Sequence, residues 1–419
     1  MSPHLTLKTL AATAATALVL AACSGGGSGD DPVSADQARS ADPAESAVTV
    51  PDEAALRAVL DRWRTDVDAY GASLSLRVPD HGDIHVASGV DDRDPETPMP
   101  TDGTFEIASV TKSFVAAAAL QLVEEGRLSL DEPVAPWLPE LPRGDEITLD
   151  MLLGHTSGLG EWDAAGAILE DLNRTFTLEE VLTNHGQAAP YGEPGELFAY
   201  SNANYTAIGA MIERELDQDL AAVIEAGLTG PLALDDTWYV DTTAIPTRHG
   251  WYGLDPSDSE RMIDTVYTVF PAALSLGKGA GGLASSSDDL LDWGEALYSG
   301  EVLGDDATAA MVDMRSAFVL DPATDRLVAA DEPTPLHYGL GTMGWCLDAR
   351  GCAAGEVDLV GHSGSVDGTR VLVGHHAASG TTIAVHANVG RIPQLQLVAL
   401  LADVFAEMGI EPRSSEQHP

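Results

Sequence analysis

The chain has 419 residues, 44% of them apolar, enough to bury a large core as two or three average domains or as one large body with an insertion. Its formal charge is −45, from 66 acidic against 21 basic side chains. A surface of that sign repels phosphate backbones, which excludes nucleic acid as a partner and reads as a means of solubility.

In chain order, the first 22 residues have the pattern of a signal peptide. Lys8 supplies a positive start, and Leu10 to Ala22 is apolar apart from two threonines, a run too short to span a bilayer. It ends in Leu20-Ala21-Ala22-Cys23, followed by Ser24 and Gly25, which resembles a bacterial lipobox. The resemblance implies cleavage before Cys23, lipid on its thiol, and an extracytoplasmic protein anchored to the cell membrane. Ordinary secretion with an incidental cysteine is the alternative. Residues 23–50 are mostly Gly, Ser, Asp, Ala and Pro, cannot bury enough surface to offset their conformational entropy, and are expected to form a flexible tether. The folded body is expected over residues 51–410, with 411–419 as a tail.

Leu56, Val59, Leu60 and Trp63 recur at helical spacing and predict a helix over 52–67. Two strands follow, 72–78 and 83–90, with Asp80-His81-Gly82 as the hairpin turn. From about Thr104 to Leu297 the pattern is mostly helical, broken by Gly and Pro. Two further strands, 370–374 and 381–389, precede a final helix over 393–408 with Leu397, Leu400, Leu401, Val404 and Phe405 apolar. Strands at both ends of the body and helices between them predict an α/β fold: an antiparallel sheet formed by both termini, flanked by terminal helices, with an all-helical insertion.

Lysine is scarce: only Lys8, Lys112 and Lys278, against 18 arginines. Ser109-Val110-Thr111-Lys112 therefore stands out. It opens an apolar run from Phe114 to Val123, and at a helix start residues i and i+3 share a face, so the ammonium can reach the hydroxyl. Buried among apolar side chains, such a lysine gives up its proton near neutral pH, and the helix start offers unpaired N–H groups to an oxyanion. Alone, the tetrad reads equally as a helix cap with a solvated lysine. Tyr200-Ser201-Asn202, read as a loop before a helix over 205–216, sets a phenol and a carboxamide two residues apart, able to relay a proton and hold a carbonyl. Its plain alternative is a capping asparagine beside a core tyrosine. His362-Ser363-Gly364-Ser365 follows an apolar strand-like run, 357–360, and can line a cleft or be an ordinary glycine turn.

With Cys23 taken as the anchor, an oxidising compartment leaves Cys346 and Cys352 as a disulfide pair. No metal site is expected: His375-His376 is followed by Ala377, and no H-E-x-x-H occurs. No phosphate loop or dinucleotide fingerprint is present, so no cofactor is expected.

Taken together, the three segments resemble the serine beta-lactamase and penicillin-binding superfamily, most closely its DD-peptidases, class C beta-lactamases and related esterases. Leu152-Leu153-Gly154-His155-Thr156-Ser157-Gly158-Leu159, Pro194 to Asn202, and Gly281-Gly282-Leu283 extend the likeness over roughly residues 53–410. The resemblance implies Ser109 as acylated nucleophile, Lys112 as its base or the partner of that base, and Tyr200 as proton donor to the leaving group and activator of the hydrolytic water. It implies Asn202 as binder of the substrate amide, His362, Ser363 and Gly364 in place of the third motif, and the N–H groups of Ser109 and Ser365 as the oxyanion hole. A histidine where lysine is common points away from potent lactamase activity, since an imidazole of ordinary pKa is only partly charged at neutral pH. The expected reaction is hydrolysis of an amide or ester through an acyl-enzyme, first as a D-alanyl-D-alanine carboxypeptidase on a peptidoglycan stem peptide, then as an esterase or beta-lactamase. A lipoprotein that binds cell-wall peptide without turnover is the alternative from another class, and the intact Ser109, Lys112 and Tyr200 speak against it.

Overall fold

The computed structural model describes residues 48–412, apart from residues 94, 241–245, 254–261, 265–270, 325 and 391. Cys23, the leader, most of the tether and most of the tail lie outside the described residues.

A ten-stranded antiparallel sheet forms the spine. Across it the strands run Arg326–Ala329, Ser316–Asp321, Leu336–Tyr338, Met343–Trp345, Leu359–Val366, Thr369–His376, Thr381–Ala387, Gly71–Val78, Gly82–Arg93 and Glu96–Pro98. The N-terminal hairpin thus joins the C-terminal strands directly, with Ala72 opposite Ala387 and Leu74 opposite Val385. The alternation in Gly71–Val78 explains the pairing: Leu74 and Leu76 enter the core shared with the terminal helices, while Ser75 meets His85 Nδ1 at 2.9 Å.

Glu53–Asp66 and Gln394–Glu407 are the two terminal helices. Asp52 caps the first by accepting the Ala55 N–H at 2.8 Å. Leu56, Val59, Leu60 and Trp63 then face the second helix's Leu397, Leu401, Val404 and Phe405 in one core. On the sheet's other face Ser287–Tyr298 packs through Leu290, Leu291, Trp293 and Leu297, and Arg77 ties strand to helix, pairing with Asp83 at 2.7 Å, Asp292 at 2.6 Å and Glu295 at 3.0 Å.

The inserted region is helical around Thr111–Glu124 and Asn202–Leu216, which share a second core. It is not all helical. Thr104–Glu106, Leu283–Ser286 and Trp238–Tyr239 form a three-stranded sheet, runs of two to four residues too short to carry a periodic signal. The strands between 316 and 345 were likewise not foreseen. Cys346 and Cys352 are joined, with their Cα atoms 5.9 Å apart, as the cysteine count predicts. No helix among the described residues is long and apolar enough to cross a membrane.

Candidate active site

Ser109 lies in the single turn Ala108–Val110 that leads into the helix Thr111–Glu124. Ile107 N–H donates to Leu283 O at 2.9 Å, and Ala108 adopts φ +45°, a strained value for a residue with a Cβ. The strand Leu359–Val366 presses against the same turn. A Cβ on Gly364 would lie 2.2 Å from Ile107 O and 3.0 Å from Ser109 N, so only glycine fits there. His362 to Ser365, which the sequence leaves open as a cleft-lining strand edge or a glycine turn, are therefore part of the strand.

Lys112, one helical turn on from Ser109, is fully buried. Its Nζ donates to Asn202 Oδ1 at 2.7 Å and to Ala280 O at 2.7 Å, and meets Ser109 Oγ at 3.0 Å. The rings of Tyr200 and Tyr205 stand 5.0 and 5.6 Å from it. Burial lowers its pKa to about 7, against a smaller opposing pull from the Glu161 charge. Two of the three neighbours are carbonyl oxygens, which only accept. A neutral amine keeps both of those bonds and has its lone pair left for the Ser109 proton.

Tyr200 hydrogen-bonds Ser109 through its hydroxyl, and burial raises its pKa far above the ordinary phenol value. The phenol therefore stays protonated near neutral pH. The outermost strand holds its backbone: Tyr200 N–H donates to Leu327 O at 3.0 Å, and Ala329 N–H donates to Phe198 O at 3.1 Å. Ser201 caps the helix Asn202–Leu216 by accepting the Ala203 N–H at 3.2 Å, which puts Asn202 in the helix's first turn rather than on a loop.

His362 is fully buried, its Nε2 3.1 Å from the Tyr338 hydroxyl and its Nδ1 2.7 Å from Ser363 O. Burial lowers its pKa to about 3, so it is neutral and brings no partial charge to the cleft. Ser363 lies on the strand's opposite face, its hydroxyl 3.1 Å from Gln394 Oε1. Ser365 is exposed, and its hydroxyl donates to Gly390 O at 2.7 Å. The structure thus brings Ser109, Lys112, Tyr200, Asn202 and Gly364 together and turns the Ser363 side chain away.

Three further residues shape the site without having been singled out in the sequence. His155, in the Leu152–Leu159 segment, stacks 4.1 Å from the Tyr200 ring and accepts the Ser201 N–H at 3.2 Å; burial keeps it neutral. Glu161 accepts the Asn202 backbone N–H. Arg370 is 6% exposed, with Nε and one terminal nitrogen lacking partners, and its charge acts on both Tyr200 and His362. Burial lowers its pKa to about 10. The one grouping of metal-ligand type among the described residues is His337 with Cys346 and Cys352, and its two sulfurs are bonded to each other.

A serine whose hydroxyl touches a buried lysine and a tyrosine, in a helical insertion beside an antiparallel sheet, defines a serine hydrolase of the beta-lactamase and transpeptidase fold. Residues 63–402 match the model of the Beta-lactamase family, and the chain belongs to that family. Esterase EstB of Burkholderia gladioli is 35% identical over 280 residues, 58% of this chain and 69% of the esterase. Penicillin-binding protein 4* of Bacillus subtilis is 29% identical over 236 residues, about half of each chain. The D-amino acid amidase of Ochrobactrum anthropi, solved with L-phenylalanine amide, shares the fold with a TM-score of 0.71 at 24% identity, over 85% of this chain and 97% of that one.

Proposed function

We propose that the chain hydrolyses small esters through an acyl-enzyme on Ser109, with Lys112 as the base. The observation that carries this reading is the enclosure of Lys112 between Asn202 Oδ1, Ala280 O and Ser109 Oγ, with its pKa lowered to about 7. Neutral Lys112 takes the Ser109 proton as Oγ attacks the acyl carbon. The N–H groups of Ser109 and Ser365 receive the oxyanion. Tyr200, protonated at this pH, gives its proton to the departing oxygen and regains one from Lys112. Water then repeats the sequence on the acyl group and frees Ser109. The likeness to an esterase and the neutrality of His362, which offers a substrate carboxylate no charge, support an ester over a lactam.

One observation favours a second reading, D-alanyl-D-alanine carboxypeptidase activity. The buried, incompletely partnered Arg370 beside Tyr200 is suited to a terminal carboxylate. The Leu20–Cys23 pattern supports attachment to the outer face of the cell membrane through lipid on Cys23, where peptidoglycan would be within reach. Rates on a p-nitrophenyl ester, a D-Ala-D-Ala peptide and nitrocefin separate the readings. The ester is expected to be fastest, and a peptide rate above the ester rate would reverse the order. Membrane association that survives Cys23→Ser would remove the anchor.

A further inference from the structure

Glu161 belongs to no motif, yet its half-buried side chain lies against Asn202, one side chain away from Lys112. It accepts the Asn202 backbone N–H and also bonds the Asn202 side chain. A carboxamide has one accepting oxygen and one donating nitrogen. Asn202 Oδ1 is taken by Lys112 Nζ at 2.7 Å, and a carboxylate can only accept, so Glu161 must meet the Asn202 amide nitrogen. Glu161, Asn202, Lys112 and Ser109 therefore form one line of hydrogen bonds ending on the hydroxyl, 3.0 Å from Nζ.

We propose that Glu161 is a positioning residue for Lys112, holding the Asn202 carboxamide in the one orientation that turns its oxygen to Nζ and setting a negative charge beside the lysine. The proposal rests on the reading of Lys112 as the base above. A cap needs only the Asn202 backbone N–H, since Ser201 takes that of Ala203, so capping does not account for the contact with the Asn202 side chain. The ionisable groups around the pair are consistent with the assignment. Lys112, Arg326, Tyr191 and Tyr200 face Glu161, and Tyr200, Tyr205, His155 and His362 face Lys112. Burial raises the Glu161 pKa, while the Asn202 contacts and the Lys112 and Arg326 charges pull it down. The guanidinium of Arg326 lies 4.0 Å over the Tyr191 ring, and its charge also acts on Glu161. Of the ionic neighbours of Lys112, Glu161 is the one that raises its pKa.

The chain holds three lysines, so 13Cε-labelled lysine in the full-length protein lets Lys112 be titrated directly by NMR. Glu161→Gln is expected to lower the Lys112 midpoint by roughly half a pH unit or more, because the negative charge is gone. Above that midpoint, acylation by p-nitrophenyl acetate is expected to fall about tenfold or more, since a glutamine amide can meet Asn202 in either orientation and a charged hydrogen bond is lost. Glu161→Asp keeps the charge but retracts the carboxylate, so the midpoint should stay while acylation falls. Thermal melting checks folding. A wild-type midpoint and plateau in Glu161→Gln would show Glu161 to be a cap and overturn the proposal. If that variant does not fold, an unchanged plateau in Glu161→Asp does the same. A wild-type enzyme inert to the ester, with the midpoint still moving on substitution, would sink the reading of the site but not the coupling of Glu161 to Lys112.

Discussion

Lys112 and Lys278 meet the same turn from opposite sides. Lys112 reaches Ala280 O from within, fully buried, at 2.7 Å. Lys278, two residues before Ala280, points outward to Asp219 at 3.2 Å with a third of its side chain exposed. One side chain type thus yields the proposed base on one side of a turn and a surface ion pair on the other. The difference lies in desolvation and in what each ammonium touches: carbonyls and a hydroxyl inside, a hydrated carboxylate outside. Loss of water makes the inner charge easy to lose even though carbonyl acceptors favour it, whereas a solvent-screened pair contributes little.

The comparison breaks first at its centre. Ser109→Ala should lower turnover by roughly 10⁴-fold or more and abolish the mass increase after treatment with a phosphonate; an adduct on another serine would move the nucleophile elsewhere. Lys112→Arg, which keeps a charge that cannot be lost, should lower acylation by at least about 10²-fold while circular dichroism stays native. The wild-type pH profile sharpens the same point. Lys112 is neutral only above its pKa of about 7, so the acylation rate should rise with pH through that value. Tyr200, whose pKa burial raises, should add no descending limb near pH 10, where phenols ordinarily ionise. A rate independent of pH between about 5 and 9 would remove Lys112 from the proton transfer. Farther out, replacing Cys346 and Cys352 by serine should cost about 2 kcal/mol in chemical denaturation, as expected for a short closed loop, with catalysis little changed. Lys278→Arg should shift both activity and stability least, within about 0.5 kcal/mol, as for surface substitutions generally.

Legibility in the sequence followed the strength of the local pattern. Both terminal helices were readable because each buries one face at a fixed period over 14 residues, and the first hairpin strand because Leu74 and Leu76 alternate with serines, although it is buried on both faces. The meeting of Ser109, Lys112 and Tyr200 was readable because lysine scarcity singled out the tetrad and the resemblance added the Tyr200-Ser201-Asn202 segment. The strands Leu336–Tyr338 and Met343–Trp345 were not, since three residues show no period. His362 to Ser365 could be read as a cleft-lining strand edge or as a turn, because small residues serve in both. Here they are small because the strand runs against Ser109, which the Gly364 geometry shows. Glu161 and Arg370 carried no signal at all. An isolated acid or arginine in a sequence looks solvated, and only the folded chain reveals that one is half-buried against Asn202 and the other is buried beside Tyr200.

The outer edge of the ten-stranded sheet has a consequence for how the enzyme fails. Val328 bridges Ala199, so the hydrogen bonds that Arg326–Ala329 would otherwise leave open are spent on the segment carrying Tyr200. This edge strand is only four residues long, half-buried, and paired on its other side to Ser316–Asp321, where Val319 and Leu320 are exposed. Such a hairpin belongs to the weakly protected end of a protein's local stabilities. When it frays, Tyr200 loses the backbone partner that aims its hydroxyl, while the sheet centre and the terminal helices remain intact. Inactivation on warming should therefore precede global melting, and amide exchange at Tyr200 and Ala329 should quicken together, well before the Ala72–Ala387 pairing inside the sheet opens.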